Sequence, residues 1–217
     1  MGIKERKERH KGDLKQLILD SAKSLFMKYG YEATSIRKIA AEIEFSPTTI
    51  YLYYKDKSGI VYALHQEGFK LMMEKFSSLA YVEHPFERLK AMGRNYIQFA
   101  LENSDFYELM FIMKEPLDFL DTTFTDSEEC EEWQEGTNTF NTLLTTIKEC
   151  QQYGYFQGQE PKTFALLVWS TMHGMCSLTI HGHLDHMCQK KHNLFETGVQ
   201  ALDAAYASYV KLLENMK

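Results

Sequence analysis

The chain has 217 residues, enough for one large or two modest domains, and its composition of 44% hydrophobic and 25% charged residues is that of a soluble protein. Only four prolines and twelve glycines interrupt it, which favours long helices. No apolar run approaches the length needed to cross a bilayer and residues 1–15 lack an apolar signal core, so we expect no membrane partner and a cytoplasmic location.

The first forty residues predict one charged segment and one helix. Residues 4–11 mix both charge signs without an apolar stripe, which fits a solvated tail and a phosphate-contacting arm equally well. A helix is predicted at 13–29, where apolar residues recur at helical spacing until Gly30 ends it. This helix would provide an apolar surface on which the next two helices pack.

Residues 34–57 hold two short helical patterns joined by only three or four residues, which predicts a tight angle between two helices. Thr34 or Ser35 can cap the first helix, and apolar residues at three- and four-residue steps define its buried face. Glu44 and Phe45 form the predicted turn.

The second helix of this pair is predicted at 47–54. Ser46 offers a capping hydroxyl and Pro47 suits the first helical position, while Ile50 would hold the short helix against its neighbour. A short helix that is held rigidly and displayed outward suits the major groove of DNA. Its outward face carries Thr48, Thr49, Leu52 and Tyr53.

Several residue types in this region stand in a fixed register. They are Leu17, Ala22, Leu25, Phe26, Tyr29, Gly30, Tyr31, Thr34, Ser35, Ile39, Ala40, Ser46, Thr49, Ile50, Tyr51, Tyr53, Tyr54, Lys55, Asp56 and Lys57. Together they resemble the DNA-binding signature of TetR-family (tetracycline-repressor-like) transcription regulators. Such proteins commonly have glycine at the turn position of Glu44, so this residue must keep a negative φ or tolerate the left-handed region.

The charge distribution supports a DNA-binding first part. Residues 1–60 hold twelve Lys/Arg against eight Asp/Glu, whereas residues 61–217 hold twelve against twenty-two. Local positive charge attracts phosphate, and an acidic remainder limits indiscriminate binding. We therefore predict a helix-turn-helix DNA-binding domain at residues 1–56 and a ligand-binding and dimerisation domain at residues 57–217.

The second domain reads as a helical bundle. Helices are predicted at 57–79, from Pro85, from Ser104 until Pro116 closes it, at 137–154, at 162–183 and at 194–215, whereas 117–135 has no clean periodicity. No strand pattern is present, so the predicted fold class is all-α, with about nine helices in an N-terminal three-helix domain and a larger C-terminal bundle.

The last two predicted helices indicate a homodimer. Both 162–183 and 194–215 are apolar over more than one stripe, and a second layer of neighbours would have to cover the extra stripe. We expect two copies of this pair to form a four-helix arrangement, and the family resemblance implies the same.

Twelve residues are candidates for contact with double-stranded DNA. Hydroxyl groups and Lys57 are expected on phosphates, while the outward threonines, with Arg37 and Tyr53, are placed to reach base edges. Tyr51 fits a hydrophobic anchor equally well. The full set is Thr34, Ser35, Arg37, Lys38, Ser46, Thr48, Thr49, Tyr51, Tyr53, Tyr54, Lys55 and Lys57.

A dense set of aromatic and methionine residues is the candidate site for a small-molecule effector. Most of them also suit an ordinary helical core, but the family resemblance implies an apolar effector site in this domain. The candidates are Tyr96, Phe99, Tyr107, Met110, Phe111, Met113, Phe140, Trp169, Met172 and His173. Trp169, His173 and Gly174 also resemble a short sub-pattern of some TetR-family C-terminal domains.

Two other classes compete with this interpretation. A metal-sensing regulator would use the cluster at 173–192, which holds His173, Cys176, His181, His183, His186, Cys188 and His192, although the spacing fits no standard structural zinc pattern. An enzyme would use His173 and Cys176, one helical turn apart, as an imidazole–thiolate pair, but no orienting third group is identifiable. We expect no bound metal or cofactor. All four cysteines, Cys130, Cys150, Cys176 and Cys188, are expected to be free thiols.

These observations predict a dimeric, ligand-responsive transcription repressor and not an enzyme. Two reading helices would enter successive major grooves of a near-palindromic operator. A small apolar effector bound in the second domain would release the DNA. An architectural DNA binder without ligand control is disfavoured because more than half of the chain lies outside the DNA-binding segment.

Overall fold

The computed structural model describes residues 3–123, 134–188 and 195–217, and the side chains among them from residue 11 onward except 121–123. Within these ranges the chain forms eleven α-helices and no strand, which confirms the all-α class with two helices more than the sequence predicts. The helices are α1 (Ile3–Tyr29), α2 (Ile36–Glu42), α3 (Pro47–Tyr51), α4 (Lys57–Ser77), α5 (Pro85–Glu102), α6 (Ser104–Phe111), α7 (Glu115–Thr123), α8 (Gln134–Gln152), α9 (Pro161–Ile180), α10 (His183–Cys188) and α11 (Gly198–Glu214), with a 3₁₀ turn at Ser78–Tyr81 after α4.

Local capping residues and prolines explain where several helices begin. The side chain of Ser35 accepts a hydrogen bond from the backbone N–H of the third helical residue of α2, and Ser46 does the same for α3. Asp56 accepts the N–H of Gly59 at 2.8 Å and so caps α4. Prolines at the first position start α3, α5 and α9, where their missing N–H costs no intrahelical bond.

Three predicted boundaries are wrong. Helix α1 begins at Ile3, so it includes the charged 4–11 segment that the pattern assigns to a tail or arm. Pro116 does not close α6 alone but lies in the first turn of α7, a helix that the sequence did not predict. Helix α9 ends at Ile180 and Gly182, with φ of 73°, precedes the unpredicted α10. The acidic cluster at 128–132 lies outside the described residues.

The chain folds into two compact units, and each is discontinuous in sequence. The first consists of Met1–Gly68 with Asp105–Glu132, and the second of Phe69–Ser104 with Trp133–Lys217. The first unit therefore extends beyond the predicted boundary at residue 56 and takes in the beginning of α4 together with α6 and α7.

The first unit has its own apolar core and a close helix contact. Side chains from α1 to α4 fill the core, and a methyl group at Gly68 of α4 would lie 2.5 Å from Sδ of Met110 in α6. Glycine therefore permits α4 and α6 to approach at this point. The buried residues include Ile18, Ala22, Phe26, Ile39, Ile50, Ile60 and Leu64.

The second unit packs α5, α8, α9 and α11 around a separate core that contains Phe86, Ile147, Phe156, Phe164 and Leu213. Helix α9 is long and apolar enough to cross a membrane, contrary to the sequence-based expectation that no segment is, but it packs against α5, α8, α10 and α11. Only 33% of its most apolar 18-residue window is buried, so these neighbours account for part of its apolar character.

Candidate nucleic-acid interface

A tight turn connects α2 to α3. The backbone N–H of Phe45 donates to the carbonyl of Ala40 at 2.9 Å, and Glu44 adopts φ of 58°. Glu44 therefore occupies the left-handed conformation in which glycine is favoured, and the turn forms with a non-glycine residue at some cost in backbone strain.

Two buried side chains hold α3 from behind. Ile50 is completely buried, and Tyr54, four residues later and thus one helical turn further, is also buried. The backbone N–H groups of Tyr53 and Tyr54 both donate to the carbonyl of Ile50, which continues the helical turn beyond the last residue of α3. Because a helix of five residues is unstable alone, this packing is what fixes its orientation.

The other side of α3 faces outward. Thr48 is exposed, Tyr51 is 55% exposed and Leu52 is 77% exposed. The hydroxyl groups of Thr49 and Ser46 lie 2.9 Å apart at the start of the helix. The helix therefore presents hydroxyl and apolar groups to solvent side by side.

Three cationic side chains are exposed around α2 and α3: Arg37, Lys38 and Lys55. Lys38 Nζ donates to the carbonyl of Ala33 at 2.6 Å, so part of its bonding capacity is already used. Within the part of the chain that the structure describes, the side chains of Arg37 and Lys55 make no hydrogen bond of the kind that Lys38 makes. Both therefore present their charge to solvent.

Thr34 and Tyr54 do not fit the predicted role as DNA contacts. Thr34 is 1% exposed, and its hydroxyl lies within hydrogen-bonding distance of the carbonyls of Gly30 and Leu25. Tyr54 is buried, and desolvation raises the pKa of its hydroxyl. Both side chains instead hold the helix-turn-helix in place.

Lys57, predicted to contact phosphate, also makes hydrogen bonds within the protein. Its Nζ donates to the carbonyls of Tyr31 and Thr34, at 2.7 and 3.0 Å, and the side chain is only partly exposed. Of the other predicted contacts, Ser35, Arg37, Lys38, Ser46, Thr48, Tyr51 and Lys55 are exposed, and Thr49 and Tyr53 are partly exposed.

Leu52 is an outward residue that the predicted contact set omitted. The set favours charged and hydroxylated side chains, although helical spacing already places Leu52 on the outward face. Leu52 follows Thr48 by four residues and therefore shares its side of the helix, opposite Ile50.

Part of the predicted effector set comes together in the second unit. The Tyr96 hydroxyl lies 3.4 Å from Nδ1 of His173, and the ring of Trp169 lies 6.3 Å from the rings of both Phe140 and His173. Burial lowers the pKa of His173, which favours its neutral form. This aromatic group, with buried Met172 on the same helix, combines an apolar wall with two polar atoms.

The remaining predicted effector residues do not form one group. Phe99 is buried in the second unit, whereas Tyr107, Met110, Phe111 and Met113 belong to the first unit. Tyr107 and Phe111 contact each other, with ring centroids 5.2 Å apart. Tyr107 and Met110 are buried and serve the core of that unit.

The metal and enzyme alternatives gain no support from the geometry. Among the described residues no three His, Cys, Asp or Glu side chains lie close enough to share a metal, and His192 lies outside them. Cys176 is completely buried, and desolvation raises its pKa to about 12, so the thiolate that a nucleophile requires is disfavoured.

A braced and outward-facing helix-turn-helix in one unit, joined to a separate helical bundle, defines a helix-turn-helix transcription regulator. Comparison with protein families gives two matches: bacterial regulatory proteins of the tetR family over residues 18–64, and the tetracyclin repressor-like C-terminal domain over residues 89–202. The chain belongs to the TetR family of DNA-binding transcription regulators, which confirms the resemblance seen in the sequence.

Individual proteins show the same relationship. An uncharacterized HTH-type transcriptional regulator, YvkB from Bacillus subtilis (strain 168), is 45% identical over 47 residues, which are 22% of this chain and 25% of that protein. The fatty acid degradation regulator FadR from Bacillus halodurans has a similar fold, with a TM-score of 0.68, 17% identity and coverage of 92% of this chain and 93% of that one. AibR in complex with isovaleryl coenzyme A and operator DNA gives a TM-score of 0.61 at 20% identity, with coverage of 89% and 96%.

Proposed function

We propose that the protein is a cytoplasmic homodimeric repressor that binds a near-palindromic operator through α3 and releases it when a small apolar effector binds. The observation that carries this proposal is the outward side of α3, which is exposed while Ile50 and Tyr54 are buried behind it. The net positive charge of residues 1–60 adds the attraction that a DNA-binding surface needs.

Exposed leucines on α9 and α11 support the dimer. Leu166, Leu167 and Leu178 of α9 and Leu212 of α11 are each about half exposed or more, although the two helices pack on each other within the unit. Side chains of this size in contact with water favour a second copy that covers them. Two copies would present their reading helices about 34–36 Å apart, which is one turn of DNA.

The aromatic group around His173 is the proposed effector site. Phe140 and Trp169 offer apolar contact, while the Tyr96 hydroxyl and His173 can orient a polar group of the ligand. The compounds bound or named in similar structures, isovaleryl coenzyme A and fatty acids, are reasonable first members of a screening panel.

Helix α4 is the proposed route of coupling. It begins at Lys57 in the first unit and ends at Ser77 in the second, because the units divide after Gly68. An effector that binds one conformer more tightly than the other would shift α4 and weaken operator binding. The coupling is reciprocal, so bound operator would weaken effector binding by the same free energy.

The decisive experiment selects duplexes from a random pool and measures their affinity at several salt concentrations. Wild-type protein should enrich a near-palindromic sequence, and Thr48→Asp should abolish binding because it would bring an unpaired negative charge into the electronegative major groove. Thr145→Asp, an exposed threonine on α8, is the matched control and should bind normally. Circular dichroism verifies that both variants fold. Failure to enrich any duplex at low ionic strength would refute the proposal.

Addition of the effector panel to the selected complex then tests ligand control. A compound that releases DNA should act on wild type and lose potency when Trp169 is changed to Ala. If every active compound also acted fully on Trp169→Ala, the effector site would lie elsewhere.

A further inference from the structure

Helix α3, the helix proposed to enter the major groove (the reading helix), lacks the side chains that usually identify bases. Residues 47–54 contain threonine, isoleucine, leucine and tyrosine after the initial proline, and no Arg, Lys, Asn, Gln, Asp or Glu. Bidentate contacts to guanine need Arg or Lys, bidentate contacts to adenine need Asn or Gln, and contacts to the cytosine amino group need an acidic residue. None of these pairings is available from this helix.

The outermost side of α3 instead presents carbon atoms. Thr48 and Leu52 are four residues apart, which on a helix places their Cβ atoms about 5–6 Å from each other. Leu52 keeps helical dihedral angles, with φ of −73° and ψ of −17°, so the helical spacing extends to it. Its side chain is 77% exposed, and Ile50 on the opposite side is completely buried.

We infer that α3 recognises the C5-methyl groups of thymine in the major groove, through the methyl of Thr48 and the side chain of Leu52. This inference rests on the proposed operator binding and specifies its base readout. The thymine methyl is the one apolar group among the base edges of the major groove, and threonine methyl and other apolar side chains contact it favourably. Each half-site would therefore contain at least one thymine whose methyl group, and not only its hydrogen-bonding pattern, is required.

Uracil substitution tests this inference directly, because uracil lacks the C5-methyl and pairs with adenine as thymine does. Each thymine of the selected duplex is replaced in turn by uracil, and affinity is measured by fluorescence anisotropy. We expect at least one position per half-site to lose affinity about fourfold, the effect of one buried methyl group.

Two variants separate direct contact from an altered DNA shape. Leu52→Ala removes the apolar side chain, and Thr48→Ser removes one methyl while it keeps the hydroxyl. In at least one of these variants, replacement of thymine by uracil should reduce affinity less than about twofold. The effects of changing two groups in contact are not additive, so removal of the protein group removes most of the effect of the thymine methyl. Leu117→Ala, an exposed leucine on α7, is the control and should keep the full uracil effect.

The outcomes are distinct. A selected duplex that binds equally well with every thymine replaced overturns the inference and leaves the proposed function intact. A uracil effect that persists unchanged in both Leu52→Ala and Thr48→Ser also overturns it, since the methyl is then read by another residue. Enrichment of no duplex overturns the inference and the proposed function together.

Discussion

The ammonium group of Lys57 lies 3.8 Å from the centroid of the Tyr31 ring and donates a hydrogen bond to the Tyr31 carbonyl. Lys57 is the first residue of α4, whereas Tyr31 precedes α2. The lysine therefore fastens the beginning of α4 to the segment that leads into the helix-turn-helix. Two of its three N–H donors are thus used inside the protein, where they help to position α4.

Lys57→Met should destabilise the protein by about 1–3 kcal/mol, because it removes a charged donor from two carbonyl acceptors and keeps the aliphatic stem. Urea unfolding at 25 °C measures the loss. Lys55→Met is the matched control; its side chain is exposed, so stability should change by less than about 0.5 kcal/mol. Equal stability of the two variants would contradict the role assigned to Lys57.

Lys55→Ala should reduce the salt dependence of operator binding. Each phosphate contact contributes about one unit to the slope of log affinity against log salt, and Lys55 is an exposed cation directly after the reading helix. The slope is obtained from affinities measured between about 50 and 200 mM salt. Over this range proteins that make many phosphate contacts lose about 10³-fold in affinity, so a change of one unit in slope is measurable. Lys57→Met should leave the slope unchanged; the reverse result would restore the sequence-based assignment of the phosphate contact to Lys57.

Gly68→Ala should destabilise the first unit, because the added Cβ would lie 2.5 Å from Sδ and 2.8 Å from Cγ of Met110. Overpacking of this kind costs about 1–3 kcal/mol. Gly59→Ala on the same helix meets no atom closer than 3.6 Å and should be neutral or stabilising by up to about 1 kcal/mol. Urea unfolding compares the two.

The double variant Gly68→Ala with Met110→Ala identifies the cause of that loss. If the close contact is responsible, Gly68→Ala should cost less in the Met110→Ala background than in wild type. An unchanged cost would place the origin of the effect in the backbone of α4 instead.

His65 should make the protein sensitive to mild acid. The side chain is completely buried in α4, and desolvation lowers its pKa from 6.5 to about 4. Since the unfolded chain binds the proton more readily, the stabilisation is complete above pH 6.5 and is lost as the pH falls toward 4, by up to about 3 kcal/mol. Urea midpoints at several pH values measure this loss.

His65→Leu provides the control for the acid effect. Its stability should vary less than that of wild type between pH 6.5 and 4, because the titrating group is absent. His183→Leu, which changes an exposed histidine, should retain the dependence seen in wild type. If both variants behaved alike, carboxylate titration would account for the acid sensitivity.

Leu167→Glu should produce a monomer. Leu167 is 58% exposed on α9, and a carboxylate there would be buried without a partner in the proposed four-helix dimer interface. Light scattering during size-exclusion chromatography at micromolar concentration measures the mass. Leu117→Glu on α7 should leave the dimer intact, and a monomeric wild-type protein would refute the interface.

Features set by neighbouring residues were predictable from the sequence. Ser46 and Pro47 determine where α3 begins, because the cap and the first-turn proline act within four residues, and Ile50 was recognisable as its buried anchor. The sequence does not predict α7, because a proline such as Pro116 serves equally as a helix terminator and as a first-turn residue. Short-range rules do not distinguish these two uses.

Features that depend on distant residues were not predictable. The internal hydrogen bonds of Lys57 are not evident from the sequence, because its carbonyl acceptors at Tyr31 and Thr34 lie more than twenty residues earlier in the chain. Likewise Gly68 gives no sign in the sequence that it meets Met110. Such roles depend on which helices pack together, and composition and periodicity do not specify that.

The discontinuity of the first unit limits how this regulator can be recombined with others. A chimera joined at residue 56 would carry the reading helix but leave behind the beginning of α4, with His65 and Gly68, and also α6 and α7. A transplant of operator specificity would need several crossover points, or else be confined to exchange of the outward side chains of α3 within the native scaffold.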